Sequence, residues 1–227
     1  ENVVVRNCNL HMSHSLLGIG SELSGGVRNV WMTNCRVEST GSMFKIKTNR
    51  RRGGFVENVW LEDSDCSGDV RNAVVAIDSA AIYQWAKFPD YERRYTRIRN
   101  INVRNVHAGA CNFVVDLKGD ANLRPRDIRV ENVSVRYART GERNVINCEN
   151  VSIRNLMETN PEEKTLEALR IPVEIPVENA VICGAFVIQL SNSLPQVKRL
   201  LKFDVFPEQG KSVIRAKLFP GEYLIRW

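Results

Sequence analysis

The chain has 227 residues, of which 43% are hydrophobic and 26% charged, a balance that excludes a disordered, collagen-like or coiled-coil protein. With 32 Lys+Arg against 26 Asp+Glu the formal charge is +6, which favours an acidic partner: nucleic acid, anionic polysaccharide or a membrane surface. No apolar run approaches the ~20 residues of a membrane helix; the longest, Ala180 to Ile188, is interrupted by Gly184.

In chain order, one seven-residue unit recurs six times: NVVVRNC from Asn2, NVWMTNC from Asn29, NVWLEDS from Asn58, NINVRNV from Asn100, NVSVRYA from Asn132 and NVSIRNL from Asn150. Its second column (Val3, Val30, Val59, Ile101, Val133, Val151) and its fourth (Val5, Met32, Leu61, Val103, Val135, Ile153) are apolar. Side chains two apart share a strand face, so each unit is a short β-strand with one buried face. The intervals between units are 27, 29, 42, 32 and 18 residues, with no amphipathic helix or leucine ladder between them. One strand signature per coil of this length predicts an all-β solenoid. The chirality of parallel crossovers makes it a right-handed parallel β-helix. The leading Asn tolerates left-handed backbone at turns, and stacked amides can bond along the solenoid axis. A second, weaker bracket column reads Asn7, Asn34, Asp63, Asn105, Tyr137, Asn155.

Cys8, Cys35, Cys66, Cys111, Cys148 and Cys183 form no C-x-x-C pair, which argues against a zinc ribbon or redox motif. Cys8 and Cys35 read as small interior residues of a stack rather than as disulfide partners.

The repeat fades after Leu156. Asn160 as N-cap and Pro161 at the first position predict one short helix through Arg170. A degenerate seventh unit, NAVICGA, follows at Asn179. Residues 186–227 read as an antiparallel meander, with strands over 200–206, 212–218 and 222–227. The expected division is a parallel β-helix over 1–170 and, over 171–227, the degenerate coil plus meander. The latter reads either as a cap on the solenoid or as a piece of a second domain.

Two connectors differ from plain turns. The first runs from His11 to Gly26 and the second from Phe44 to Gly54, and both end in Gly-Gly just before the next strand. Ile19 and Ile46 are 27 residues apart, as are Asn2 and Asn29, so Gly20 and Lys47 are expected side by side in neighbouring coils. A glycine beside a lysine would leave an open, cationic notch. The stretch from His14 through GSELSGGVRNV, then Lys45-Ile46-Lys47-Thr48 and Arg52-Gly53-Gly54, resembles glycoside hydrolase family 28, the polygalacturonase family of right-handed parallel β-helix pectinases. The resemblance covers about residues 1–156. The family's Gly-His-Gly motif falls on Ser13-His14-Ser15 and its Arg-Ile-Lys motif on Lys45-Ile46-Lys47.

The resemblance implies an inverting hydrolase of pectic polysaccharide, with His14 beside the catalytic acids and Lys47, with Lys45, holding a galacturonate carboxylate. It extends to Glu22 and Arg52 as substrate-binding groups. It implies no cofactor and no metal, an oligogalacturonate partner rather than nucleic acid or membrane, a monomer when full length, and secretion or a periplasmic setting. The departures are specific. The family's Asn-Thr-Asp segment and Asp-Asp pair, which supply acid and base, occur nowhere in this chain. The chain therefore reads as the C-terminal part of the family's domain, inactive by itself. His14 lacks both flanking glycines, and Lys45 in place of Arg loses the planar fork that grips a carboxylate.

Plainer readings stand beside these. His14 alone would be a surface turn histidine, and Lys45 and Lys47 a solvated basic strand. Arg50-Arg51-Arg52 would be a solvated loop or a wall facing a polyanion. Asp63 and Asp65 share a face at a strand end, where turn capping competes with acid/base work. Three classes follow: a polygalacturonase-like hydrolase, a non-catalytic module holding acidic polysaccharide, and a nucleic-acid binder. Few aromatics (7%), none interleaved with the basic cluster, count against the last.

Overall fold

The structure is a computed structural model that describes residues 1–82 and 92–168, with side chains through residue 165. Beyond these it describes the backbone of six strands, over 171–178, 186–189, 196–199, 204–208, 211–218 and 223–226. It divides into two units, Glu1–Pro161 and Glu162–Trp227.

The first unit is a right-handed parallel β-helix. Its strands are β1 (Val3–Arg6), β2 (Asn9–Ser13), β3 (Leu17–Gly20), β4 (Val27–Thr33), β5 (Arg36–Thr40), β6 (Phe44–Lys47), β7 (Phe55–Cys66), β8 (Ala73–Asp78), β9 (Arg97–Ala108), β10 (Cys111–Lys118), β11 (Arg126–Val135), β12 (Ala138–Ile146) and β13 (Glu149–Glu158). One parallel sheet runs β1-β4-β7-β9-β11-β13, with β2 and β5 on its second arm; the other runs β3-β6-β8-β10-β12. Val3, Val30, Val59 and Ile101 stand in register on successive coils, as the repeat predicts.

Two left-handed residues shape each coil. Asn2, Asn29, Asn58, Asn100, Asp127 and Asn150 open it; Asn7, Asn34, Asp63, Asn105, Asn132 and Asn155 bend it five positions later; all have φ between 48° and 61°. Their amides stack. Asn29 donates to Asn2 at 2.8 Å, Asn58 to Asn29 at 2.9 Å and Asn100 to Asn58 at 2.8 Å. In the second column Asn105 donates to Asp63, Asn132 to Asn105 and Asn155 to Asn132, at 2.7, 3.0 and 2.9 Å. Asp63 is thus a ladder residue rather than half of an acid/base pair, and Asp65 lies 3.7 Å from Arg36.

The fifth repeat unit is corrected by five positions. Ile101 pairs with Ile128, not Val133, and Val133 pairs with Val106 and Leu156. Asn132 therefore belongs to the second column in place of Tyr137, and Asp127, which accepts the Asn150 amide, fills the first. Here Asp127 precedes Ile128-x-Val130 and Asn132 precedes Val133-x-Val135, so alternation alone does not separate the two columns.

Between the sheets lies a continuous core. Phe44, Ile46, Val56, Val59, Leu61, Val75, Ile101, Val115, Leu117, Ile128 and Val133 are fully buried. Cys35 is buried and Cys8 half-buried, both as free thiols, and Cys66, Cys111 and Cys148 are free as well. Burial pushes the Cys111 thiol up to about 12, the mark of an inert interior residue. Cys183 lies outside the described residues.

The second unit begins with α1 (Glu162–Ala168), within the predicted helix. Strands β14 (Ile171–Glu178), β18 (Lys211–Leu218) and β17 (Asp204–Glu208) form one antiparallel sheet in the order β14-β18-β17. Strands β16 (Gln196–Arg199), β15 (Phe186–Gln189) and β19 (Tyr223–Arg226) form another in the order β16-β15-β19. A simple meander would set β19 beside β18. Instead β14 takes that edge, where Pro172 and Pro176 need no ladder donor, and β19 pairs with β15. The predicted unit at Asn179 begins in residues 179–185, outside the described residues. No helix among the described residues is long and apolar enough to cross a membrane.

The Asn ladder makes a quantitative prediction. Asn58→Ala loses two amide bonds and forces a β-carbon into left-handed backbone; at ~1 kcal/mol per bond and 1–2 for the backbone it should cost about 3 kcal/mol. Asn58→Gly keeps the backbone easy and should recover about a third of that loss. Urea unfolding of both variants checks it; equal losses would mean that the left-handed turn contributes nothing.

Candidate functional site

The second sheet presents its outer face as two rows of aligned side chains. One reads Gly18, Lys45, Ala76, Asp116, Asn144; the other reads Gly20, Lys47, Asp78, Lys118, Ile146. The intervening residues Leu17, Ile19, Phe44, Ile46, Val75, Ile77, Val115 and Leu117 point into the core, so period-two alternation drives the polar set outward. Gly20 and Lys47 are neighbours, as the 27-residue spacing predicts. The glycine is obligatory: with φ near 100°, a β-carbon there would lie 1.9 Å from the Lys47 carbonyl oxygen.

The sequence-derived residues distribute around this face. Lys45 and Lys47 stand on it, both half-buried. His14 is exposed in the turn between β2 and β3, with Nδ1 3.4 Å from the Ser15 hydroxyl. Glu22 and Arg52 follow the C-terminal ends of β3 and β6 and form an ion pair with each other, joining the connectors of adjacent coils. Along the chain His14 therefore precedes β3 and the Glu22–Arg52 pair follows β3 and β6, with the lysines within β6.

The connector carrying Arg50-Arg51-Arg52 is not a loose solvated loop. The buried Thr48 and Thr96 hydroxyls bond at 2.7 Å, and Gly53 N–H donates to the Arg94 carbonyl at 2.7 Å. The return bond from Arg94 N–H to the Arg50 carbonyl is 2.8 Å, so the Arg94 segment clamps this connector from both sides. Arg50 Nε reaches the Asp120 carboxylate at 2.5 Å, one of the few buried charges of the unit. Burial alone would raise the Asp120 pKa. The Arg50 guanidinium and two N–H bonds from Asn122 more than offset this and hold it below the usual carboxylate range. Arg50 and Arg52 are thus engaged with carboxylates of the protein itself.

Sequence reasoning missed Asp78, Asp116 and Lys118. Asp116 accepts Lys118 Nζ at 2.9 Å and the Asn144 amide at 2.8 Å. Asp78 accepts the Ala80 N–H at 3.2 Å. Its pKa is pushed up by burial, against the pull of Lys118 and Lys47. These residues lie in strands without an Asn bracket, so no repeat column marked them.

The family model for glycosyl hydrolases family 28 matches residues 1–160. The chain belongs to that family. Among solved structures it is similar to a hyperthermoactive exopolygalacturonase from Thermotoga maritima, at 28% identity with a TM-score of 0.55. The match covers 68% of this chain and 33% of the exopolygalacturonase, so the chain corresponds to about a third of that protein's length. No curated protein sequence matches it. The family match spans the β-helical unit, including the His14 turn and the Lys45–Lys47 strand.

The Arg50–Asp120 pair predicts a pH signature. Asp120 has a depressed pKa, so its contribution is present above the unfolded value of ~3.9 and is lost as pH falls through the lower folded value. Arg50→Met leaves a buried carboxylate uncompensated and should cost on the order of 3 kcal/mol at pH 7. The gap between variant and wild type should narrow on acidification, as Asp120 becomes protonated. Denaturant unfolding at pH 7 and at about pH 2, on either side of that window, measures both values; a gap independent of pH would show that the pair contributes no charge stabilisation.

Proposed function

We propose that this chain is the substrate-holding part of a polygalacturonase-like hydrolase acting on pectic, galacturonate-containing polysaccharide in a secreted or periplasmic setting. The observation that carries this reading is the register of Gly18 and Gly20 against Lys45 and Lys47, within the segment that matches the family. Two ammonium groups on an outward sheet face, beside two positions without side chains, leave room for a sugar ring and supply the charge that its carboxylate needs. Lys47, with Lys45, pairs the uronate carboxylate. His14 borders the same face and orients groups at the reacting bond. The Glu22–Arg52 pair follows β3 and β6 and meets sugar hydroxyls.

Cleavage makes a separate demand. Inverting hydrolysis needs a protonated carboxyl to protonate the leaving oxygen and a carboxylate to activate water, roughly 6.5–9.5 Å apart. The Asn-Thr-Asp and Asp-Asp segments that supply these groups in the family are absent from this sequence. That absence favours a second reading: this chain by itself holds acidic polysaccharide without cutting it.

Two measurements test these readings. Calorimetric titration with oligogalacturonate should show salt-sensitive binding that falls at least tenfold in Lys45→Ala/Lys47→Ala; unchanged binding would remove the site. A reducing-sugar assay on polygalacturonate should show no turnover by this chain above the uncatalysed rate. Robust turnover that disappears in His14→Ala and Lys47→Ala would overturn the non-cleaving reading.

A further inference from the structure

The sheet that carries Lys45 and Lys47 continues for three more coils, and its next rung reverses the charge. Lys47 is followed in register by Asp78 and then by Lys118. Successive rungs are about 4.8 Å apart, close to the advance of one sugar unit along a polysaccharide. A chain lying along the solenoid axis with a carboxylate on Lys47 therefore presents its next unit to Asp78. We infer that Asp78 sets the charge selectivity of this groove: at the rung after Lys47 it accepts a neutral sugar or an esterified uronate and disfavours a free one. This rests on the reading of Lys45 and Lys47 as the uronate-holding groups and extends it to the neighbouring unit.

Three observations support the inference. First, the parallel row at this rung holds Ala76, between Lys45 and Asp116, so the side chain beside Asp78 in its own strand face is only a methyl group. Second, the two carboxylates on this face differ in their neighbours. Asp116 is bonded by Lys118 and Asn144, whereas the hydrogen bond to Asp78 comes from the backbone N–H of Ala80. Asp78 is thus the carboxylate of this face placed to receive a sugar hydroxyl. Third, Asp78 stands in register between Lys47 and Lys118, which already favour its charge, so a further carboxylate brought by the ligand to this rung would compete with Asp78 for the same two lysines. An ester or hydroxymethyl group brings none. Like charges placed together suppress the wrong partner more effectively than attraction selects the right one. The ligand class is a galacturonan in which a free uronate is followed by an esterified or neutral unit.

The test uses the full chain and two probes of equal length: fully de-esterified oligogalacturonate and partially methyl-esterified oligogalacturonate. Calorimetric titration of the wild type should favour the partially esterified probe about fivefold. Asp78→Asn should abolish that preference by improving binding of the de-esterified probe. Asp78→Ser provides the same readout should the first variant fail to fold. Lys47→Ala should weaken both probes. Glu38→Gln, which removes one negative charge from the other sheet, should leave the preference intact. If the wild type binds neither probe, or Lys47→Ala changes nothing, the uronate-holding reading falls and this inference falls with it. If Lys47→Ala weakens binding but the wild type shows no preference, or Asp78→Asn retains it, only the role of Asp78 is overturned. An equal shift in Glu38→Gln would assign the selectivity to net charge and also overturn it.

Discussion

The register of this β-helix depends on the left-handed bracket, a pair of Asn or Asp residues five positions apart that opens and bends each coil. Most residues resist positive φ, whereas Asn and Asp adopt it at modest cost and use their side chains to bond locally. Here the side chains also bond to the next coil, so each amide both permits a turn and fixes the turn above it. Fixing the turns fixes which residues face inward, because a slip of one residue would exchange core and solvent faces. The stacking of Val30, Val59 and Ile101 and the outward display of Lys45 and Lys47 both follow from that register.

The two outer faces use charge differently. On the first sheet, buried carboxylates are matched to arginines on adjacent strands. Glu57 takes Arg97 and Arg99, and Glu62 takes Arg104 and the Trp31 N–H. Burial would raise the pKa of Glu57, yet its two guanidinium partners pull it below the ordinary value. These arginines tie neighbouring coils together, so much of the chain's basicity is structural. On the second sheet, lysines and aspartates alternate along the axis, and the small residues Gly18, Gly20 and Ala76 leave space beside them. Excess positive charge in the composition thus does not by itself distinguish the two faces; charge combined with missing bulk does.

The sequence disclosed the architecture because the bracket and the apolar columns repeat in residue identity. It misplaced one coil for a physical reason: Asn132 and Asn100 precede similar alternating strands, and the pattern does not distinguish the residue that opens a coil from the one that bends it. Only the pairing of Ile128 with Ile101 and Val151 separates them. The Lys45–Lys47 rungs were legible because Asn2 to Asn29 and Ile19 to Ile46 span the same 27 residues, so simple subtraction aligned Gly20 with Lys47. Asp78 and Asp116 were not, because the coils that carry them have unequal connectors and their strands lack the bracket. A charge at the end of an apolar run, as in AVVAID, looks like an ordinary strand terminus until its neighbours are known.

A solenoid distributes a functional site in a way that a closed domain does not. Each coil contributes one or two outward side chains, and each coil contacts only its neighbours, so stability is close to a sum of local terms. Binding and bond cleavage can then reside on different coils. Charge recognition needs only the rungs that touch the carboxylate, whereas hydrolysis needs two carboxyl groups at a fixed separation. In this chain the lysine rungs, their glycine neighbours and the aspartate row lie within one continuous sheet from β3 to β12. The charged groups of this face are therefore supported by the same five stacked strands, and charge recognition on these coils would not require that they also carry the cutting groups.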